Sequence, residues 1–159
     1  MNSPENPKIA VIGLGYVGLP IAVQACRSGL SVAGLDASEA VVNGLLEGHS
    51  HVDDVTHDDV AMMLSRGFTA TTQADILAQA NVILICVPTP LDGDGGPDLS
   101  MVIQATTDAA EHLHADQLVV LESTTYPGTT EEVLVPILES SGLKVGQDFY
   151  CAYSPERID

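Results

Sequence analysis

KIAVIGLGYVGLP, Lys8 to Pro20, joins a strand pattern, a glycine-rich turn and a helix pattern without interruption. Residues 9–12 are apolar and rich in β-branched side chains, and the run is too short for a helix, which predicts a buried strand. Gly13, Gly15 and Gly18 follow in the spacing G-x-G-x-x-G and lead into a helical pattern. This order of strand, turn and helix is typical of a dinucleotide-binding turn.

Each glycine of the turn has its own physical role. Gly13 permits the tight turn out of the strand, Gly15 lets the backbone approach a pyrophosphate, and Gly18 lets the helix pack against the strand. The free N–H groups and the positive dipole end of the helix then face the phosphates. We expect Tyr16 and Val17, within the same turn, to contact the cofactor as well.

An acidic residue ends the second predicted strand. This strand is Ser31–Leu35, and Asp36 follows it at the usual distance from the last glycine of the turn. A carboxylate there accepts hydrogen bonds from the adenosine ribose 2′-OH and repels a 2′-phosphate. The alternative is a glycine-rich turn in another α/β protein, with Asp36 as a helix N-cap. Because strand, glycines, helix, strand and acid occur in order, we predict NAD rather than NADP as the cofactor.

The overall composition indicates one globular domain with few positive charges. The chain has 159 residues, 45% of them hydrophobic, and a net charge of −17 from 22 acidic and 5 basic side chains. Such a charge disfavours binding to nucleic acid and to anionic membranes. It also repels an anionic cofactor, so local amides must bind it. No apolar run is long enough to span a bilayer and no signal peptide is visible, which predicts a cytoplasmic protein.

Neither the cysteines nor the histidines predict a metal centre. Cys26, Cys86 and Cys151 include no C-x-x-C pair, so we interpret them as thiols in a reducing compartment. The polar segment Gly48–Asp59 holds three of the five histidines. A metal site there is the alternative to a solvated loop, but no scaffold is visible that would bring the ligands together.

Strands and helices alternate along the rest of the chain. This alternation predicts right-handed crossovers and an α/β, doubly wound parallel sheet of the Rossmann type, with about six strands and helices on both faces. Further strands are predicted at 68–70, 81–87, 117–121 and 149–152, and further helices at 38–46, 60–65, 72–80, 99–113 and 131–140. Ser38 is the candidate N-cap of the helix at 38–46.

Four loops are expected at the carboxyl ends of the strands, where such sheets bind ligands. They are Gly13–Gly18, Val87–Pro90, Ser123–Gly128 and Ser154–Arg157. The chain resembles the NAD-binding domain of the UDP-glucose/GDP-mannose dehydrogenase family, the nucleotide-sugar 6-dehydrogenases. The stretches that carry the resemblance are KIAVIGLGYVGLP (8–20), CVPTPL (86–91), LESTTYPGTTEEV (121–133) and YSPERID (153–159). The spelling of the last two is most similar to the branch that acts on UDP-N-acetylhexosamines.

The resemblance implies oxidation of a sugar C6 alcohol to a carboxylate with two NAD⁺ in succession. It places Val87, Pro88 and Thr89 against NAD, Thr124 near the nicotinamide and the catalytic water, and Glu156 as the residue that assists thioester hydrolysis. These residue types suit the roles, because hydroxyls at strand ends hold a ribose or a water and a carboxylate can act as a general base. The alternatives are turn chemistry for Thr124 and a surface acid for Glu156.

The resemblance also implies that the nucleophilic cysteine, a lysine and an asparagine lie in a second half of the enzyme. Cys151 is a poor substitute, since it lies inside the predicted sixth strand. We therefore expect residues 1–159 to be an NAD-binding domain that is inactive alone, with the nucleotide sugar held mainly by the second half. We expect a homodimer or larger assembly at full length. The alternatives are a stand-alone dinucleotide sensor and another NAD-dependent hydroxyacid dehydrogenase.

Overall fold

Six short apolar strands pair side by side in the computed structural model, which describes residues 7–155. All neighbouring strands are parallel, in the order β3-β2-β1-β4-β5-β6. The order reverses between β1 and β4, which opens a crevice at the carboxyl ends of these two strands. This arrangement confirms the predicted doubly wound sheet. The strands are β1 (Lys8–Ile12), β2 (Ser31–Leu35), β3 (Thr69–Thr71), β4 (Val82–Ile85), β5 (Leu118–Leu121) and β6 (Tyr150–Tyr153).

Helices connect successive strands across both faces of the sheet. In the part of the chain described, no helix is long and apolar enough to cross a membrane. The α-helices are α1 (Gly18–Arg27), α2 (Glu39–Leu46), α3 (His57–Ser65), α4 (Ser100–Glu111) and α5 (Val135–Glu139). A 3₁₀ segment (Ala74–Gln79) precedes β4, and a π-helical turn (Thr130–Leu134) precedes α5.

Side-chain caps determine where two of the helices begin. Ser38 caps α2, as the sequence predicted, and its Oγ accepts the Val41 N–H at 3.3 Å. Helix α3 begins at His57, three residues before the predicted start. The reason is a capping box in which Thr56 Oγ1 accepts the Asp59 N–H and the Asp59 carboxylate accepts the Thr56 N–H.

Other predicted elements differ in type or length. The helix predicted at 131–140 starts as a π-helical turn, because Pro136 has no N–H to donate to the carbonyl four residues earlier. The helix predicted at 72–80 is the shorter 3₁₀ segment. Strand β4 ends at Ile85, so Cys86 follows the strand instead of lying within it.

Two hydrophobic cores lie on opposite faces of the sheet. Along β1, Val11 faces the core formed with α1, α2 and α3, whereas Ala10 and Ile12 face the core formed with α4 and α5. Such strands are buried on both faces, which is why they appear in the sequence as continuous apolar runs.

The turn between β1 and α1 is among the most tightly packed backbone segments. Gly13 has a φ of +91°, and a Cβ on it would lie 2.8 Å from the Cys86 carbonyl oxygen. A Cβ on Gly18 would lie 1.8 Å from the Gly13 carbonyl oxygen. The first turn of α1 therefore rests directly on the end of β1, and this contact sets the position of the helix.

Gly18→Ala is expected to destabilise the domain by about 3 kcal/mol, the upper end for overpacking, because the methyl group meets backbone that cannot move aside. Gly44→Ala is the matched control within α2, where the nearest atom to an added Cβ lies 3.9 Å away. That change should stabilise the domain by up to about 1 kcal/mol, since alanine is the better helix former. Urea denaturation of both variants checks this, and equal stabilities would contradict the packing argument.

Candidate cofactor site

A cleft of about 910 Å³ opens where the strand order reverses. It is lined by the loops that follow β1, β2, β4 and β5 and by one face of α4. Gly18 is the one predicted cofactor residue outside the lining, since it packs behind the turn. The predicted residues that line the cleft are Gly13, Gly15, Tyr16, Val17, Asp36, Val87, Pro88, Thr89 and Thr124.

The glycine-rich turn offers space and N–H donors to a phosphate group. Gly15 lines the cleft, and no atom lies within 4 Å of the position of a Cβ on it. Helix α1 begins just behind, but its first turn offers few donors, because the Leu19 N–H is bonded to the Gly15 carbonyl oxygen at 3.0 Å and Pro20 has no N–H. The backbone N–H groups of the turn itself and the helix dipole form a cradle that fits the pyrophosphate of a dinucleotide.

Asp36 connects the end of β2 to the glycine-rich turn. Its carboxylate accepts the N–H of Leu14 and the N–H of Ser38, each at 2.9 Å. Ser38 is the N-cap of α2, so the alternative reading of Asp36 as that cap is wrong. Each carboxylate oxygen has a further lone pair, which leaves capacity for ribose hydroxyls. Asp36 therefore has a structural role in the turn that the sequence did not indicate.

The N–H and the carbonyl oxygen of Leu14 are both bonded to side chains from other parts of the chain. Its N–H is bonded to Asp36, and its carbonyl oxygen lies 2.8 Å from Nε2 of His51, which also lines the cleft. The Leu14 side chain is buried against Gly34, where a Cβ would lie 2.6 Å from Leu14 Cδ1. His51 was considered in the sequence only as a metal ligand, and no motif or spacing marks it as a cleft residue.

Two hydrogen bonds join the loops after β4 and β5. Ser123 Oγ donates to the Val87 carbonyl oxygen at 2.6 Å, and Thr89 Oγ1 donates to the Thr124 carbonyl oxygen at 2.7 Å. The two predicted threonines are thus brought together, with the exposed Thr124 on the cleft wall. Ser123 was not singled out in the sequence, although its motif was.

One face of α4 also lines the cleft, which the sequence did not predict. Met101, Gln104, Ala105 and Asp108 of this helix line the cleft. The Gln104 side-chain amide donates to the Asp108 carboxylate at 2.9 Å. In the sequence these residues look like the solvent-facing side of an amphipathic helix, and only the packing of α4 onto the sheet places them at the site.

The remaining candidate residues are Glu156 and two of the cysteines. Glu156 is outside the described residues. Cys151 lies on β6, and burial raises the pKa of its thiol to about 11, so it stays protonated near neutral pH. Burial also raises the pKa of Cys26. Within residues 7–155, no group of three or more histidines, cysteines or carboxylates is placed to hold a metal ion.

The chain is similar to known proteins over nearly its whole length. Residues 7–159 match the UDP-glucose/GDP-mannose dehydrogenase family, NAD binding domain. Protein CapL of Staphylococcus aureus is 41% identical over 155 residues, which are 97% of this chain and 36% of CapL. UDP-N-acetyl-D-glucosamine 6-dehydrogenase of Pseudomonas aeruginosa is 39% identical, over 98% of this chain and 36% of that protein. The chain thus spans little more than a third of the length of these relatives.

Solved structures show the same similarity. The UDP-D-ManNAc dehydrogenase of Pyrococcus horikoshii superposes with a TM-score of 0.90 at 41% identity, over 96% of this chain and 37% of that one. The GDP-mannose dehydrogenase of Pseudomonas aeruginosa, solved as a ternary complex, gives a TM-score of 0.86 at 29% identity, over 95% of this chain and 36% of that one.

Gly15→Val is expected to weaken NAD⁺ binding by about 100-fold, the equivalent of a clash of about 3 kcal/mol, while the domain still folds. The added side chain would occupy the open space that faces the cleft. Gly93→Val is the matched control, because Gly93 also has no neighbour around a Cβ but lies outside the cleft lining. Calorimetry and circular dichroism measure the two effects. Full affinity in a folded Gly15→Val variant would contradict this use of the turn.

Asp36→Ala is expected to weaken NAD⁺ binding by about 1–3 kcal/mol, because it leaves the Leu14 and Ser38 N–H groups without their acceptor and removes the ribose acceptor. The difference between the affinities for NAD⁺ and NADP⁺ should become smaller at the same time. Asp94→Ala in an exposed loop is the control. Titration of both cofactors into both variants provides the measurement, and equal wild-type affinities for NAD⁺ and NADP⁺ would remove the proposed role of Asp36.

Proposed function

Because the chain belongs to the UDP-glucose/GDP-mannose dehydrogenase family, we propose that it is the NAD-binding domain of a nucleotide-sugar 6-dehydrogenase. The observation that carries the proposal is the single cleft formed by the glycine-rich turn, Asp36 and the joined loops after β4 and β5. The reaction is oxidation of a sugar C6 alcohol to a carboxylate. NAD⁺, when bound, accepts a hydride in each of the two oxidation steps.

The residues of this chain bind and orient the cofactor. The backbone N–H groups of the glycine-rich turn, with the dipole of α1 behind them, receive the pyrophosphate, and Asp36 accepts hydrogen bonds from the adenosine ribose. Thr124 is exposed on the cleft wall after β5, and its loop is held by the Thr89 hydroxyl. We assign Thr124 to the nicotinamide end and the catalytic water, and Glu156 to the activation of water for thioester hydrolysis.

The nucleophile belongs to another part of the enzyme. The raised pKa of Cys151 keeps its thiol protonated, and the thiolate is the form that attacks a carbonyl carbon. The proposal therefore assigns residues 1–159 to cofactor binding and hydrolysis. The nucleophilic cysteine, the lysine, the asparagine and most contacts to the sugar are assigned to the remaining two thirds of the length of the relatives. At full length we expect a homodimer or a larger assembly.

We infer that the substrate is a UDP-N-acetylhexosamine. Two observations support this choice over UDP-glucose or GDP-mannose. The relatives at about 40% identity include proteins named UDP-N-acetyl-D-glucosamine 6-dehydrogenase and UDP-N-acetyl-D-mannosamine dehydrogenase. The motif at 121–133 and the motif at 153–159 have the spelling of that branch.

The full-length enzyme is expected to form two NADH per UDP-N-acetylhexosamine, whereas the 159-residue chain forms none above background. The reason is that no thioester can form without the nucleophile. Absorbance at the NADH band measures both, and heat-treated chain supplies the background. Steady turnover by the 159-residue chain would place the whole active site within it and would contradict the assignment.

In the full-length enzyme, Glu156→Gln is expected to slow thioester hydrolysis by about 100-fold or more, the typical contribution of a general base. Cofactor affinity should change little, and a covalent intermediate should accumulate on the nucleophilic cysteine. Intact-mass spectrometry after a rapid quench detects it. Glu131→Gln, in the π-helical turn outside the cleft lining, is the control. Wild-type turnover in Glu156→Gln would assign the base to another residue.

A further inference from the structure

The charges on the cleft wall are unusual for a site that receives an anion. Among its described lining residues are the carboxylates of Asp36, Asp108 and Glu122, and neither lysine nor arginine. The only lining side chain in the described part of the chain that can carry a positive charge is His51. The chain as a whole has a net charge of −17, so the field of the protein does not supply the missing attraction.

His51 is held against the turn that faces the phosphates. Its Nε2 lies 2.8 Å from the Leu14 carbonyl oxygen. A carbonyl oxygen only accepts hydrogen bonds, so Nε2 carries a hydrogen and donates it. This bond is compatible with the neutral and the protonated ring, and Nδ1 is the atom that gains or loses the proton. Protonation therefore adds a charge at the turn without breaking the contact.

The backbone around His51 is fixed on both sides. The Ser50 N–H donates to His57 Nδ1 at 2.9 Å, and the Val52 N–H donates to Ser50 Oγ at 3.1 Å. The Val52 and Val55 side chains are buried in the core formed with α1, α2 and α3. The segment between α2 and α3 is therefore anchored at His51, and the ring is presented to the cleft by a rigid support.

We propose that His51 is a further binding residue for the dinucleotide, which orders the glycine-rich turn through Leu14 and attracts the pyrophosphate when the ring is protonated. This inference rests on the proposed NAD-binding function. Because binding and protonation each favour the other, NAD⁺ affinity is higher at pH 6 and falls as the pH rises and the ring loses its proton.

Other titratable groups lie near the His51 ring, and their effects on the pH dependence of binding must be distinguished from the effect of His51. Histidine is the residue type that ordinarily changes charge near physiological pH, so His49 and His57 are the groups to control. His49 is controlled by substitution, and His57, whose Nδ1 accepts the Ser50 N–H, is controlled by an NMR titration that follows the His51 ring alone. The groups that share the cleft wall are Tyr16, Asp36, Asp108 and Glu122, and those on the segment of His51 and at the start of α3 are His49, Asp53, Asp54, His57 and Asp58.

The test compares calorimetric NAD⁺ titrations at pH 6 and pH 8 for the wild-type chain, His51→Gln and His49→Gln. Glutamine keeps a side-chain N–H donor for the Leu14 carbonyl but cannot be protonated. Wild-type chain and His49→Gln are expected to bind about fivefold more tightly at pH 6, the effect of an exposed ion pair. His51→Gln is expected to lose this difference between the two pH values. The same pH dependence in His51→Gln would overturn the proposal.

A second measurement avoids substitutions. In wild-type chain the His51 ring proton is followed by NMR through a pH titration with and without saturating NAD⁺. The midpoint is expected to rise by about 0.7 pH unit, the shift linked to a fivefold difference in affinity. An unchanged midpoint would overturn the role of His51 even where NAD⁺ binds. Absence of NAD⁺ binding at both pH values would overturn the proposed cofactor function itself, and with it the proposal.

Discussion

The hydrogen bond from the Leu14 N–H to the Asp36 carboxylate is the interaction on which the rest of the site depends. It ties the turn after β1 to the end of β2, and the Gly13 N–H bonded to the Leu35 carbonyl at 2.8 Å holds the same junction through the backbone. The turn is thereby fixed before any ligand arrives. A ligand then loses less free energy on binding, because the loop has little conformational freedom left to lose.

Because the chain is acidic, this preorganisation also determines how an anionic cofactor is attracted. The described cleft wall has no lysine or arginine, so we assign the attraction for a pyrophosphate to fixed N–H groups and the α1 dipole, with the ring of His51 as the proposed addition. Oriented dipoles are effective only at short range and in fixed geometry. Tight packing of Gly18 on Gly13 supplies that geometry. The packing of the first helix and the affinity for the cofactor are therefore two consequences of one backbone arrangement.

The sequence correctly predicted those parts of the site that depend on interactions between residues close together in the chain. Strand β2 and the cap at Ser38 were predicted correctly, because the apolar run and the cap act on adjacent residues. The motif resemblance to the family was confirmed over residues 7–159. The cleft-facing role of Met101 and the bond of His51 to Leu14 were not predicted, since both depend on contacts between segments far apart in sequence. The early start of α3 was missed because the Thr56–Asp59 box was not recognised.

The central claim is that one cleft, at the reversal of the strand order, receives the dinucleotide. Backbone amide NMR of the labelled chain during an NAD⁺ titration tests it most directly. The largest shifts are predicted at Gly13 to Val17, at Asp36 to Ser38, and at the amides after β4 and β5, which line the cleft. The smaller cavity of about 260 Å³ at the amino ends of β1 and β2, which includes Lys8 and Gly67, should show none. Shifts centred on that cavity would contradict the account.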